Sequence, residues 1–196
     1  MFYISLLKLK DFDKITRFRL INGFWFALIL GLTSPVFSHL KGLLAVSILS
    51  AIVIGSQLIM KTHDWWDKKF TIAQIYKFGI FLNIAFCLST ALYFYDKKLM
   101  ILLDSILGVL ELGIYGVYSI KLNDFISQKY PETFRDFQKV KNAVWADGML
   151  LGLILTMIIS YFFNEDLIIK IVLVIWSAYI LRMLLAWKFL DNLKGF

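Results

Sequence analysis

Apolar residues in this chain come in long runs rather than in alternation. Six runs stand out: Arg19–Leu40, Gly42–Met60, Phe70–Tyr95, Leu99–Ile120, Ala143–Phe163 and Leu167–Leu190. Each is near the ~20 residues that cross a bilayer as a helix, and each is too long and too uniformly apolar for a barrel strand. Hydrocarbon offers no partner to a backbone N–H or C=O, so a spanning segment must satisfy its own backbone, as a helix does. The pattern predicts an all-α, polytopic integral membrane protein, a bundle of six transmembrane helices over residues 19–190. Residues 1–18 mix Phe2, Ile4, Leu6, Leu7, Leu9 and Phe12 with Lys8, Lys10, Lys14 and Arg17. They read as an amphipathic interfacial segment and lack the charge-then-apolar order of a cleaved signal peptide. Residues 191–196 read as a short C-terminal tail and a natural end.

The link from Lys121 to Asn142 is the one long connection. It carries Pro131, then Phe134, Phe137, Val140 and Val144 at helical spacing, with Glu132/Arg135 and Asp136/Lys139 as i,i+3 pairs. This predicts a short amphipathic helix on the membrane surface, started by Pro131 at its first turn.

Composition agrees with the membrane reading. The 196 residues are 60% hydrophobic and 18% charged, against about 45–50% and 25% in soluble domains. The net charge of +7 need not mean nucleic acid, because its distribution has another cause. Sixteen of the 21 Lys and Arg fall in the N-terminal arm, the links after the second and fourth spans and the C-terminal end; four fall on the opposite side, and Lys77 lies near the start of the third span. The positive-inside rule then puts both termini in the cytoplasm, and a bacterial cytoplasmic membrane is the expected location. The lipid bilayer is the first partner, and no nucleic acid is expected.

The chemistry lies in polar residues within the spans. Asp104, Gly108, Glu111, Tyr115 and Tyr118 recur at spacings of four and three, one stripe of the fourth helix. An ionisable group in mid-span costs roughly 2.5–3.5 kcal/mol on insertion scales, so it requires an explanation. One is a polar cavity wall, with Glu111 binding a proton or cation. The other is a carboxyl that hydrogen-bonds a neighbouring helix. Lys77 and Arg182 are candidate partners for Glu111, though both are expected nearer the cytoplasmic end. The first span carries Asn22, Trp25, Thr33, Ser34, Pro35 and His39; a lone interfacial histidine is a poor metal ligand. One cysteine, Cys87, and two distant histidines point to no metal and no cofactor. Phosphate-binding glycine loops, HExxH and nucleophile elbows are absent. Asp104 and Glu111 are about 10 Å apart along a helix, too far to share a proton as a catalytic pair, so an enzyme is not expected.

Three local features give the layout a resemblance. Asp64-Trp65-Trp66-Asp67-Lys68-Lys69 after the second span is similar to the Asp-Arg-x-Gly-Arg-Arg link of the major facilitator superfamily in its first acid and last two bases, with Trp65 and Asp67 in place of Arg and Gly and Met60 where a glycine is usual. The fourth span reads Leu103-Asp104-Ser105-Ile106-Leu107-Gly108, with Asp104 where the family often has an Arg. Asn123-Asp124, Pro131-Glu132, Arg135, Gly148 and Gly152 resemble its next link and fifth span. From Asn22 to Lys188 the chain resembles one six-helix half of such a transporter. The resemblance implies a homodimer of halves related by an axis along the membrane normal. It implies a solute cavity lined by the first and fourth spans, with Asn22 and Trp25 beside Asp104, Glu111, Tyr115 and Tyr118. It implies a dimer interface at Ser47, Ser50, Gln57, Gly148 and Gly152, and a gating link at Asp64, Lys68, Lys69 and Arg135. The function it implies is secondary transport of a small solute by alternating access, possible proton coupling falling to Glu111. The alternative is a non-transporting interaction protein, an assembly factor, immunity protein or scaffold, on the same half-fold.

Overall fold

The computed structural model of the chain describes residues 12–32 and 43–191, the side chains of 43–49, 165 and 191 excepted. Thr33, Ser34, Pro35, His39 and the arm before Phe12 lie outside the described residues, as does the side chain of Ser47. Every regular element described is helical: α1 (Lys14–Leu32), α2 (Leu43–Met60), α3 (His63–Lys69), α4 (Ile72–Ala91, continued by a 3-10 turn, Leu92–Phe94), α5 (Lys97–Lys129), α6 (Pro131–Phe162) and α7 (Glu165–Asp191). Five helical stretches are long and apolar enough to cross a membrane: Lys14–Leu32, Ile72–Phe94, Lys97–Lys129, Pro131–Phe162 and Asp166–Leu190. The described residues therefore form an all-helical structure with the makings of an integral membrane protein.

The helix starts follow from local chemistry. Asp13 opens α1: its Oδ1 accepts from the backbone N–H of Ile15 at 2.8 Å and of Thr16 at 3.1 Å. Thr71 and Gln74 form a reciprocal capping box at α4, which satisfies two donors left over at a helix start. Asp96 Oδ1 accepts from Lys98 N–H at 2.9 Å and Leu99 N–H at 3.1 Å ahead of α5, and Asn164 does the same for Leu167 at 3.1 Å ahead of α7.

The long link forms no separate helix. Instead α5 runs unbroken for 33 residues to Lys129, and α6 runs unbroken for 32 residues from Pro131. At 1.5 Å per residue each has a contour near 50 Å, well beyond a ~30 Å hydrocarbon core. The break falls on Tyr130, whose φ of −134° and ψ of 59° are not helical. Pro131 disfavours helical geometry in the residue before it and lacks an N–H, so it fits only at a first turn. Likewise the first helix begins at Lys14, five residues ahead of the predicted span.

The described residues divide into two compact units. One holds α1, α6, α5 from Leu122 and α7 up to Ile168. In it, Phe24 lies against Gly148, Leu28 against Gly152, and Gly31 O accepts from Thr156 Oγ1 at 3.2 Å. Partners advance together along both helices, so α1 and α6 run parallel. The buried stripe of α6 is Phe137, Val140, Val144, Gly148 and Gly152. Much of the remaining surface of α6, including Leu150, Met157 and Tyr161, is exposed, as expected of a helix whose outer side meets lipid.

The second unit holds α2, α3, α4, α5 up to Lys121 and α7 from Ile169. Gly55, Gly113 and Gly116 let α2 and α5 approach, through Val109, Ile59 and Met60. At one end Tyr93, Met100 and Ile169 form a small core. At the other, Lys121 Nζ donates to Asp67 O at 2.8 Å and Phe70 O at 2.7 Å and pairs with the Asp67 carboxylate at 2.9 Å, tying α3 to α5.

Candidate functional site

The stripe predicted on the fourth span is buried inside the second unit, where it meets polar groups of α4 and α7 in three successive rungs. In the first, Asp104 is fully buried. The Ser89 hydroxyl reaches its Oδ1, and Thr90 Oγ1 lies 3.1 Å from its Oδ2. Both hydroxyls also reach Phe86 O, at 3.0 and 2.9 Å.

The second rung is built on Asn83, buried on α4. Its Oδ1 accepts from Trp176 Nε1 at 3.0 Å, its Nδ2 donates to Gly79 O at 2.9 Å, and its side chain lies beside the Glu111 carboxyl. The Trp176 ring is held against Phe86 at 4.6 Å. The polar group beside Glu111 is thus a neutral amide. Lys77 is exposed and stands 5.0 Å over the Trp187 ring, so it is not the partner of Glu111; the charge of Arg182 acts on Tyr76 and Tyr179.

The third rung is aromatic. Tyr118 lies 5.2 Å from Tyr76 and 6.1 Å from Tyr115, ring centre to ring centre. Tyr179 is within electrostatic reach of Tyr76, Glu111, Tyr115 and Arg182, and its buried hydroxyl has no hydrogen-bond partner among the described residues. Residue numbers fall on α4 as they rise on α5, from Thr90–Asp104 through Asn83–Glu111 to Tyr76–Tyr118, so the two helices run antiparallel.

Asn83, Tyr76, Ser89, Thr90, Trp176 and Tyr179 are the positions around the stripe that sequence reasoning missed. A signal was present. Tyr76, Asn83 and Thr90 are spaced by seven, and so are Asp104, Glu111 and Tyr118. Two helices packed at a shallow angle meet at such a repeat, and the polar sets are mirror images, as an antiparallel pair requires.

Other expected sites fall elsewhere. Asn22 is buried and Trp25 half-buried on α1, in the other unit from the rungs. Arg19 Nε donates to Asn123 Oδ1 at 3.2 Å in that same unit. The expected interface is only partly available. Gly148 and Gly152 are covered by α1 of the same chain: a Cβ there would collide with Phe24 O and Leu28 O. Ser50 and Gln57 are exposed with Ile54 between them on α2, leaving that face open. Of the expected gate, Asp64 pairs with His63 at 2.9 Å, Lys69 stands 4.7 Å over Trp65, and Lys68 and Arg135 are exposed. Among the described residues no group of three or more His, Cys, Asp or Glu could hold a metal ion.

No protein family, no curated protein and no solved structure matches the chain. What it does must be read from the site itself.

Proposed function

We propose that the chain is one six-helix half of a secondary transporter, that it assembles as a homodimer in a bacterial cytoplasmic membrane with both termini inside, and that it moves a small solute by alternating access, with Glu111 as its proton- or cation-binding group. One observation carries the reading: Glu111, a carboxyl buried among the apolar helices, lies beside the neutral amide of Asn83 and has no salt bridge among the described residues. Such a group can gain or lose a proton or cation without an ion pair having to break, and intramembrane ionisable groups mark transport pathways by default.

The parallel run of α1 and α6 supports counting α2 as a span. A chain that has crossed through α1, α4 and α5 alone would send α6 back antiparallel to α1; the 18-residue α2 supplies the missing crossing. The open α2 face at Ser50, Ile54 and Gln57 supports a partner copy there.

The alternative, a non-transporting interaction protein, is favoured by one feature: the first two rungs are partnered within the chain, as in a network that only fixes helix register.

Reconstitution in proteoliposomes separates the two. A pH-sensitive dye is enclosed and small solutes are added across a pH gradient. The wild type is expected to move protons only when its solute is present, and Glu111→Gln, which keeps the size and hydrogen-bond capacity of the side chain, is expected to melt normally and move none. Equal proton movement by both would remove Glu111 from the mechanism. A strict monomer by light scattering, with no solute moving protons, would favour the interaction protein.

A further inference from the structure

We infer that the α3–α4 corner is a binding site for one anionic phospholipid, its acyl chain in an aromatic groove and its phosphate on the adjoining lysines. The groove lies on the second unit, has a volume of about 320 Å3, and is lined by Trp66, Phe70, Phe78 and Phe81 with Gln74 and Lys77. Phe78 and Phe81 are exposed, so the groove opens outward. Its wall is fixed: Trp66 Nε1 donates to Thr62 Oγ1 at 3.0 Å, and the Trp66 ring packs on Phe70 at 5.2 Å and Phe78 at 6.1 Å. Apolar rings with an indole at one end match the boundary between acyl chains and headgroups, where tryptophan concentrates.

Charge selects the headgroup. Of the carboxylates on α3, Asp67 is paired with Lys121 at 2.9 Å and Asp64 is in contact with His63 at 2.9 Å. Lys77 and Lys69 stand over the Trp187 and Trp65 rings, and Lys68 is exposed. None of the three has a carboxylate within ion-pair distance among the described residues. Gln74 has its side-chain oxygen committed to the helix cap. Lys77 thus lines the groove itself, and Lys68 and Lys69 lie in the chain between its lining residues Trp66 and Phe70, on the side that the proposed orientation turns to the anionic leaflet. The site does not depend on transport.

The probe is phosphatidylglycerol with brominated chains, set against brominated phosphatidylcholine, in vesicles that carry the full-length protein. Bromine quenches a tryptophan it touches, and the Trp66 signal is taken as the difference between wild type and Trp66→Phe. Phosphatidylglycerol is expected to win over phosphatidylcholine by about fivefold for each lysine engaged, and Lys68→Gln/Lys77→Gln is expected to bring the ratio down towards one. Equal quenching by the two lipids would overturn the proposal and leave only bulk lipid at this face. A second readout needs no tryptophan change: wild-type protein released from mixed nanodiscs into a mass spectrometer is expected to retain one phosphatidylglycerol, and the double lysine variant none. Retention of both lipids in the ratio supplied would also overturn it.

Discussion

At the scale of single residues, Asp104 and Glu111 are two carboxyls on one stripe with different surroundings. Asp104 faces two hydroxyls, and each hydroxyl has one hydrogen and two acceptors within reach: the carboxyl and Phe86 O. That arrangement is asymmetric to mutation. Asp104→Leu leaves Ser89 and Thr90 free to donate to Phe86 O, so it is expected to change unfolding free energy by less than about 1 kcal/mol, in line with the small net cost of removing a buried polar group whose partners can turn elsewhere. Ser89→Ala with Thr90→Val instead strands a buried carboxyl and is expected to cost about 1–3 kcal/mol. Unfolding in mixed micelles of mild and denaturing detergent reads both; a larger loss for Asp104→Leu than for the double variant would refute this account of the first rung. Glu111 has no such reserve, because the Asn83 amide beside it is engaged with Trp176 and Gly79. The sequence made both carboxyls conspicuous and placed them on one face. It could not name their partners, since serine, threonine and asparagine are ordinary in a span until the facing helix is known.

At the scale of elements, the spacing of small residues separates a close approach from a loose one. Gly148 and Gly152 meet backbone of α1, so Gly148→Ala is expected to push α6 off α1 and lower the melting temperature. Gly79 has no atom within 4 Å of where a Cβ would stand, and it lies inside α4; Gly79→Ala is expected to stabilise by about 0.5–1 kcal/mol through helix propensity alone. If both substitutions destabilise, or neither does, then close packing is not what distinguishes these positions. The small-xxx-small pattern says that something comes near and is silent on what, which is why a face expected to meet a second copy is occupied by α1. The short surface helix expected from Pro131, within the 121–142 link, has a related cause. Phe137, Val140 and Val144 are in phase with Gly148 and Gly152, so the stripe is one continuous seam, and no proline interrupts 132–162. Hydropathy drops at the membrane boundary and suggests an end to the helix where the backbone has none. Pro131 as a first-turn residue was legible because its chemistry is local.

At the scale of the whole molecule, topology turns on α2. Five helices meet the length and hydropathy of a span, which taken alone puts the two termini on opposite sides of the membrane. The lysine and arginine distribution puts them on the same side, and the parallel packing of α1 with α6 independently asks for one more crossing between them. The two arguments share no residues: one counts charges in links, the other follows contacts such as Leu28 with Gly152. Both are met if Leu43–Met60 spans, and at 1.5 Å per residue its 18 residues reach about 27 Å, close to a thin hydrocarbon core. Single cysteines at position 41 or 68, in a Cys87→Ser background, test this in intact cells with a membrane-impermeant maleimide. Lys41→Cys is expected to label from outside, and Lys68→Cys only after the membrane is opened. Labelling of both from the same side would mean that α2 does not cross. The six-helix half would then fail as an architecture, and α1 and α6 could not both span while running parallel.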